Sequence, residues 1–187
     1  MQEACAATPS GMIAIVGASE DQLKALCDAT GCTVANINSA AQQVLSGSKD
    51  AIAAAATKAK ELGIKRAIPL ATAGAFHSPF MAPAREKLAP ILDTITFNAP
   101  KFPVLSNVTG KPHANDGAAI KALMLEQVTG TTNWAADVAC AKELGCTTFV
   151  EFGPGKVLSG LIKKIDAALV TTNVADLASL EATAGAL

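Results

Sequence analysis

The stretch Cys32–Gly47, CTVANINSAAQQVLSG, decides the fold because it holds two β-strands in direct succession. Residues 32–38 and 42–47 contain β-branched and apolar side chains, and a polar Ser-Ala-Ala turn at 39–41 joins them. A strand pair placed between two helices is typical of the split β-α-β arrangement. The flanking elements can therefore be placed relative to this pair.

The flanking elements complete the order β-α-β-β-α-β over residues 12–72, which is the ferredoxin-like split unit. In chain order they are a strand at 12–17, a helix that Ser19 caps, a helix that Ser48 caps and Gly63 ends, and a strand at 65–72 in which Pro69 marks an edge position or a bulge.

Beyond residue 79 strands and helices alternate, which implies a parallel layer covered by helices. The pattern predicts strands at 102–108, 146–152 and 169–174, and helices that begin at Ser78-Pro79 and cover 117–128, 133–145 and 156–165. Two or three strands are fewer than a stable open sheet usually has. We therefore expect an exposed sheet edge through which the chain self-associates.

Composition argues against several classes of function. The chain has 187 residues, of which 50% are hydrophobic and 17% charged, with a net charge of -1, so we expect a soluble globular protein. It has no long basic run and no tyrosine, and its one tryptophan is Trp134, which argues against nucleic-acid binding. No apolar run approaches the ~20 residues of a membrane span, and the start at Met1 lacks a signal-peptide pattern.

Metal binding is not expected either. The five cysteines form no C-x-x-C pair, and the two histidines lie far apart in the sequence. Free thiols in a reducing compartment explain the cysteines.

His77 is the leading candidate for a catalytic group and lies in the stretch GAFHSPFM at 74–81. A helix that begins after Ser78 puts its positive dipole end near the imidazole and favours the neutral ring, which a general base requires. The alternative is a half-buried histidine that makes a local hydrogen bond. His113, in the loop GKPHAND, is predicted to face solvent.

Two turns carry weaker signals. Turn chemistry alone accounts for Asn36 and Asn38, with a substrate contact as the alternative. The turn Gly153-Pro154-Gly155 leads from a strand into a helix, so its amides could face a phosphate or a carbonyl oxygen. Such turns commonly need glycine for conformational reasons alone.

Five stretches, taken in chain order, resemble the malonyl-CoA:acyl-carrier-protein transacylase family. They are NINSAAQQVLSG (36–47), AFHSPFMAPAREKLAPIL (75–92), ITFNAPKFPVLSNVTG (95–110), IKALMLEQVTGTTNW (120–134) and TFVEFGPGKVLSGLIKKI (148–165). The resemblance runs from Met1 to about Val174 and corresponds to the C-terminal half or more of a family member. It implies an α/β fold in which a ferredoxin-like βαββαβ subdomain is inserted into an α/β-hydrolase-like core.

The resemblance also implies a division of the chain. Residues 1–11 form a lead-in segment, 12–72 form the ferredoxin-like subdomain, and 73–187 form the C-terminal part of the α/β acyltransferase core.

The resemblance implies roles for those residues of this chain that match functional positions of the family motifs. His77 matches the histidine that activates a serine, and Gln127 matches the residue whose backbone carbonyl orients that histidine in place of a carboxylate. Asn38 and Val157 match positions that line the acyl pocket. Phe76 matches the malonyl-selective form of the motif, in which a bulky ring leaves no room for an α-methyl group.

The sequence departs from the family at the nucleophile. The family serine lies on a G-x-S-x-G elbow, and the nearest fragment here, GASED at 17–21, ends in Asp. Loss of the serine of a serine hydrolase costs roughly 10⁶ in rate. We therefore expect a truncated family member whose nucleophile is missing or comes from another chain, and Cys5 and Ser78 are the residues to inspect as substitutes.

The implied ligands are thioesters and no cofactor is expected. Substrates would be malonyl-CoA or another acyl thioester of coenzyme A or phosphopantetheine, and the partner would be acyl carrier protein. Lys163 and Lys164, in the last turn of a helix, complement its dipole and could meet an acidic partner. The implied location is the bacterial cytoplasm or plastid stroma, with the mitochondrial matrix as a third option.

Two other functions stay open at this point. The chain could be a thioesterase in which His77 activates water to cleave an acyl thioester, since a general base contributes about 10²–10⁴ in rate. It could also be a non-catalytic module that binds the carrier protein through Lys163 and Lys164.

Overall fold

The computed structural model describes residues 1–186, which form two compact units, one from Met1 to Asp137 and one that begins at Val138. The elements of the first unit are α1 Gln2–Ala7, β1 Ser10–Val16, α2 Glu20–Thr30, β2 Thr33–Ser39, β3 Gln42–Ser48, α3 Lys49–Glu61, β4 Arg66–Leu70, a short 3-10 helix Pro79–Met81, α4 Ala82–Asp93, β5 Leu105–Ser106, β6 Lys111–Pro112 and α5 Gly117–Thr129. Next come α6 Trp134–Glu143, then β7 Thr148–Phe152, α7 Val157–Ile165, β8 Val170–Val174 and α8 Leu177–Ala184.

A four-stranded antiparallel sheet in the order β2-β3-β1-β4 organises the first unit. Strand β3 lies between β1 and β2, and β1 lies between β3 and β4, so each of the helices α2 and α3 connects strands that are not neighbours. This pairing is consistent with the split β-α-β-β-α-β interpretation. Pro69 lies on β4, an edge strand, which is the kind of strand to which proline is largely confined in sheets.

The two faces of this sheet carry different residues because side chains alternate along a strand. Ile13, Ile15 and Leu45 are fully buried on the face that α2 and α3 cover. Met12 and Val44 lie on the opposite face, where Phe76 packs against them. One face therefore forms the main apolar core, and the other supports the loop that follows β4.

Local signals explain the helix starts. Ser19 forms a capping box with Gln22 at the start of α2, and the Ser48 hydroxyl accepts a hydrogen bond from the Ala51 amide at the start of α3. Gly31 ends α2 with a φ of 72°, a conformation that glycine adopts without strain. These boundaries agree with the sequence predictions to within about a turn.

The strand predicted at 102–108 is largely wrong. Only Leu105–Ser106 pairs, as a two-residue ladder with Lys111–Pro112, and residues 101–104 have no strand pairing. Pro103 lacks an amide hydrogen and so cannot donate to a ladder. The lead-in segment contains the helix α1, which the sequence pattern did not predict.

The second unit contains the parallel pair β7 and β8, with Thr148 opposite Val170 and Phe152 opposite Val174. Helices α7 and α8 both pack against β8. Within residues 1–186, β7 pairs with β8 alone, so the predicted self-association through a sheet edge stays a prediction.

The α/β class is confirmed, whereas the predicted boundaries at 1–11, 12–72 and 73–187 stay predictions. Among residues 1–186 no helix is long and apolar enough to span a membrane.

Asp137 on α6 is a buried carboxylate without a hydrogen-bond partner. Its side chain is 4% exposed, and within the described residues neither carboxylate oxygen has a partner. Burial disfavours the charged form and raises the pKa of Asp137 from 3.8 to about 6. The folded chain therefore binds this proton more tightly than the unfolded chain does.

We predict that Asp137 makes the protein less stable as the pH rises. Its contribution to the free energy of unfolding is greatest below the ordinary pKa of 3.8 and is lost as the pH rises through about 6, because the buried group must then ionise. Urea unfolding across this interval should show a smaller loss of stability in Asp137→Asn than in the wild type. Asp21→Asn, which changes an exposed aspartate, is the control. Equal pH slopes in wild type and Asp137→Asn would contradict the prediction.

Candidate active site

His77 adopts a strained backbone conformation. It lies between β4 and the 3-10 helix, and its φ of 54° is the one positive value at a non-glycine residue within residues 1–186. Such a conformation costs of order 1–3 kcal/mol and persists only where surrounding contacts hold it. Strain of this kind is concentrated at functional sites.

Three buried serines hold the backbone on the N-terminal side of His77. The Ser46 hydroxyl donates to the carbonyl oxygen of Phe76 at 2.6 Å. The Ser78 hydroxyl donates to the carbonyl oxygen of Ala75 at 2.5 Å, and the Ala75 amide donates to the Ser10 hydroxyl at 3.1 Å. Each serine is at most 5% exposed, so water cannot easily replace these contacts.

The His77 ring faces the end of α5. Its Nδ1 atom lies 2.9 Å from the carbonyl oxygen of Gln127. A carbonyl oxygen can only accept, so this contact requires a proton on Nδ1 and leaves the lone pair on Nε2. Gln127 is in the last turn of α5, where carbonyls lack partners inside the helix and the dipole is negative. The arrangement suits a ring that takes up a proton at Nε2.

The side-chain amide of Gln127 has three polar groups within hydrogen-bond distance. Nε2 is 3.1 Å from the Thr132 hydroxyl, 3.4 Å from the Gly130 carbonyl oxygen and 3.2 Å from His77 Nδ1. The amide has two hydrogens, and Nδ1 already donates to the carbonyl. Thr132 and Gly130 are therefore the acceptors consistent with the assigned tautomer.

Phe76 and Asn38 lie in the same unit as His77. Phe76 is half-buried and packs both against the apolar face that includes Met12 and against the cluster that includes Met81. Asn38 is half-buried on β2. Thr132 forms a parallel bridge to Asn36 on the same strand, so β2 is tied to the segment that contacts Gln127.

Val157, Lys163 and Lys164 belong to the second unit and are described within it. Val157 is 71% exposed at the first position of α7. Both lysines are exposed in the last turn, and Lys163 Nζ donates to the Ala167 carbonyl oxygen at 3.2 Å.

The start of α7 already has an anion. One Glu151 carboxylate oxygen accepts from the Leu158 amide at 3.0 Å, and the other accepts from the Ser159 amide at 2.8 Å and its hydroxyl at 2.7 Å. Burial alone would raise the pKa of Glu151, but these hydrogen bonds outweigh it and hold the pKa below its ordinary value. The amides at the start of this helix are thus not free for a phosphate.

Neither substitute nucleophile is well placed to react. Ser78 is 1% exposed and its hydroxyl donates to Ala75, so it serves the backbone. Cys5 is a half-buried free thiol packed against Gly74, where an added Cβ would lie 2.6 Å from its sulfur. The prediction that His113 faces solvent is wrong, because His113 is half-buried and its Nδ1 atom is enclosed without a partner among the described residues.

Sequence reasoning missed Ser10, Ser46 and Thr132. A serine on the buried face of an otherwise apolar strand is a detectable signal, but its partner cannot be identified from the pattern. No group of three metal-binding side chains occurs within residues 1–186.

Comparison with known proteins shows which family has this architecture. No family model matches the chain. The malonyl CoA-acyl carrier protein transacylase of Bacillus subtilis is 39% identical over 186 residues, which are 97% of this chain and 58% of that protein. The corresponding protein of Salmonella typhimurium is 38% identical over 186 residues, or 97% of this chain and 60% of its own length.

Comparison with solved structures leads to the same family. The malonyl CoA-acyl carrier protein transacylase of Clostridium perfringens is 37% identical, superposes with a TM-score of 0.92, and is matched over 100% of this chain and 60% of its own. A malonyl-transacylase in complex with a type II PKS acyl-carrier protein is 33% identical with a TM-score of 0.90, over 96% of this chain and 59% of that one. The chain spans about three fifths of the length of these relatives, and it belongs to the malonyl CoA-acyl carrier protein transacylase family.

Proposed function

We propose that this chain supplies the general base and part of the acyl pocket of a centre that transfers a malonyl group between coenzyme A and acyl carrier protein. The observation that carries the proposal is the 2.9 Å contact between His77 Nδ1 and the Gln127 carbonyl oxygen, in a chain of this family. This contact leaves Nε2 unprotonated and oriented by a fixed acceptor.

The base works in two steps. Nε2 of His77 accepts the proton of a serine hydroxyl as the serine attacks the malonyl thioester carbonyl, and the proton then passes to the departing thiolate. The second half-reaction runs the same steps in reverse with the phosphopantetheine thiol as the nucleophile. Between these steps the imidazolium is stabilised by Gln127 through a neutral carbonyl at the negative end of α5.

The nucleophile is proposed to come from polypeptide beyond this sequence. The sequence has no G-x-S-x-G elbow. Ser78 and Cys5 are engaged in packing around the His77 loop. The two fifths of each relative that this chain does not span are the proposed source of the serine.

Acyl selectivity is assigned to three positions. Phe76 precedes the base directly and is held by two apolar clusters, so its ring has little freedom to move away from an α-substituent. Asn38 and Val157 are each proposed as an acyl-contacting residue, on the strength of their separate matches to the family motifs.

The carrier protein is the proposed partner. A relative with a TM-score of 0.90 is described in complex with an acyl-carrier protein. The exposed side chains of Lys163 and Lys164 are proposed to meet acidic groups on that partner.

The thioesterase alternative has no support among the named relatives, which are described as transacylases. The following test distinguishes it, and the binding-module alternative, from the transferase.

We predict that the chain alone transfers malonyl groups only at background and that transfer appears when the unspanned N-terminal portion of the Bacillus subtilis relative is fused to it. In the fusion, His77→Ala should reduce transfer by about 10²–10⁴, because the serine loses its base. His113→Ala removes the other histidine and should keep activity. The measurement follows free thiol and malonyl-carrier formation from malonyl-CoA.

Three results would contradict this prediction. Transfer that survives His77→Ala excludes His77 as the base. Thiol release without malonyl-carrier formation favours the hydrolase. Binding of the carrier protein without either product favours the non-catalytic module.

We predict that Phe76 excludes the α-methyl group of methylmalonyl-CoA. In the fusion, Phe76→Ala should raise the ratio of methylmalonyl to malonyl transfer about 10-fold or more, since one methyl group in a tight pocket is worth this much discrimination. Phe80→Ala removes a ring of equal size from the cluster of Met81 and Ala84 and is the matched control. An unchanged ratio in Phe76→Ala, with malonyl transfer retained, would exclude Phe76 as the selective residue.

A further inference from the structure

The segment Gly130–Thr132 is attached to the edge of the four-stranded sheet. The Thr132 amide donates to the Ala35 carbonyl oxygen at 2.8 Å, and the Ile37 amide donates to the Thr132 carbonyl oxygen at 2.9 Å. The Thr131 hydroxyl adds a third bond, to the Val34 carbonyl oxygen at 2.7 Å. These bonds fix the backbone of Thr132 in an isolated parallel bridge to Asn36 of β2, so the direction of its side chain is set by the attachment to the sheet.

The hydroxyl of Thr132 is directed to the side chain of Gln127. It lies 3.1 Å from Nε2, which makes it the nearest of the three polar groups around that amide. The main chain and the side chain of Gln127 thus make different hydrogen bonds. The carbonyl oxygen holds His77, and the amide is held by Thr132.

Without the Thr132 hydroxyl, the Gln127 amide could favour the tautomer of His77 that cannot act as a base. Gln127 Nε2 is only 3.2 Å from His77 Nδ1, so it could donate to that nitrogen if the nitrogen were unprotonated. The proton would then sit on Nε2, where the base must be free. In serine hydrolases the wrong tautomer of the histidine lowers kcat by about 10⁴.

We propose that Thr132 is a positioning residue that holds a hydrogen of the Gln127 amide on its own hydroxyl, so that this hydrogen is not donated to His77 Nδ1, and thereby selects the tautomer with the proton on Nδ1. The proposal deepens the proposed function and rests on His77 acting as the base. Thr132 acts through Gln127 and touches neither the substrate nor the reacting atoms.

The test reads the tautomer directly. In the ¹⁵N-labelled full chain, long-range ¹H–¹⁵N correlation spectra distinguish a protonated ring nitrogen from an unprotonated one, and His113→Ala leaves His77 as the single histidine. At a pH where the ring is neutral, the parent should show the proton on Nδ1. Thr132→Val, which replaces the hydroxyl by a methyl group of similar size, should shift the population towards a proton on Nε2. Thr132→Ser should retain the parent signal.

Thr131→Val is the matched control, because that hydroxyl bonds to Val34 and not to Gln127. It weakens the attachment to β2 but should leave the tautomer unchanged. A tautomer shift equal to that of Thr132→Val would mean that the attachment alone is responsible, and it would overturn the proposal. A folded Thr132→Val protein with the parent tautomer would overturn it as well.

Thr132→Ala removes the same hydroxyl with a smaller side chain and covers the case in which Thr132→Val does not fold. The proton of His77 should also shift towards Nε2 in this variant, and the parent tautomer in a folded Thr132→Ala protein would overturn the proposal. A double variant then tests whether the amide is the competitor. Gln127→Met with Thr132→Val removes the amide together with the hydroxyl and keeps the backbone carbonyl, so the proton should return to Nδ1. Gln127→Met alone should also keep the proton on Nδ1. A proton on Nε2 in either variant would show that the amide is not the competitor.

The two proposals fail in different ways. In the fusion with the relative's N-terminal portion, kcat should fall in Thr132→Val in proportion to the fraction of His77 with its proton on Nε2, while Thr132→Ser retains the rate. If transfer survives His77→Ala, the proposed function fails. The tautomer spectra would still decide whether Thr132 sets the position of the proton on His77.

Discussion

The hydrogen bond from His77 Nδ1 to the Gln127 carbonyl oxygen is the interaction on which the candidate site depends. It joins residues 50 positions apart and brings the loop after β4 to the last turn of α5. This contact orients the ring and requires the proton to be on Nδ1, because the acceptor has no hydrogen to give. The acceptor is a neutral peptide group, so its electrostatic support comes from the dipole of a whole helix and not from a carboxylate.

The sheet of the first unit supports this contact through both of its faces. Ile13 and Leu45 fill the core beneath α2 and α3. On the opposite face, Ser10 and Ser46 hold the peptide groups of Ala75 and Phe76, the two residues before His77. The sheet that holds the strained backbone of His77 is thus stabilised by the apolar core on its other face. Because the core and the His77 loop are on opposite faces, the conformational strain at His77 does not disturb the packing that stabilises the fold.

The sequence was most informative where the structural signal is local. Ser19 and Ser48 were recognised as helix caps, because capping depends on residues three positions apart. The strand at 102–108 was predicted from apolar content, but pairing requires donors that Pro103 cannot provide. His77 stood out as one of two histidines, whereas Gln127 was found only through the family resemblance. The contacts of Ser10 and Ser46 join residues 65 and 30 positions apart, and periodicity contains no such information.

Glu151 makes the start of α7 independent of any ligand. The N-terminus of a helix is a ready-made binding site for an anion, because its free amides point outwards and the helix dipole is positive there. Here the strand before the helix supplies the anion, so α7 has its N-terminal counter-charge from the moment the chain folds. Any incoming anion would have to compete with this tethered carboxylate for the amides. A ligand that approaches this turn would therefore meet the exposed, uncharged side chain of Val157 and not free amides.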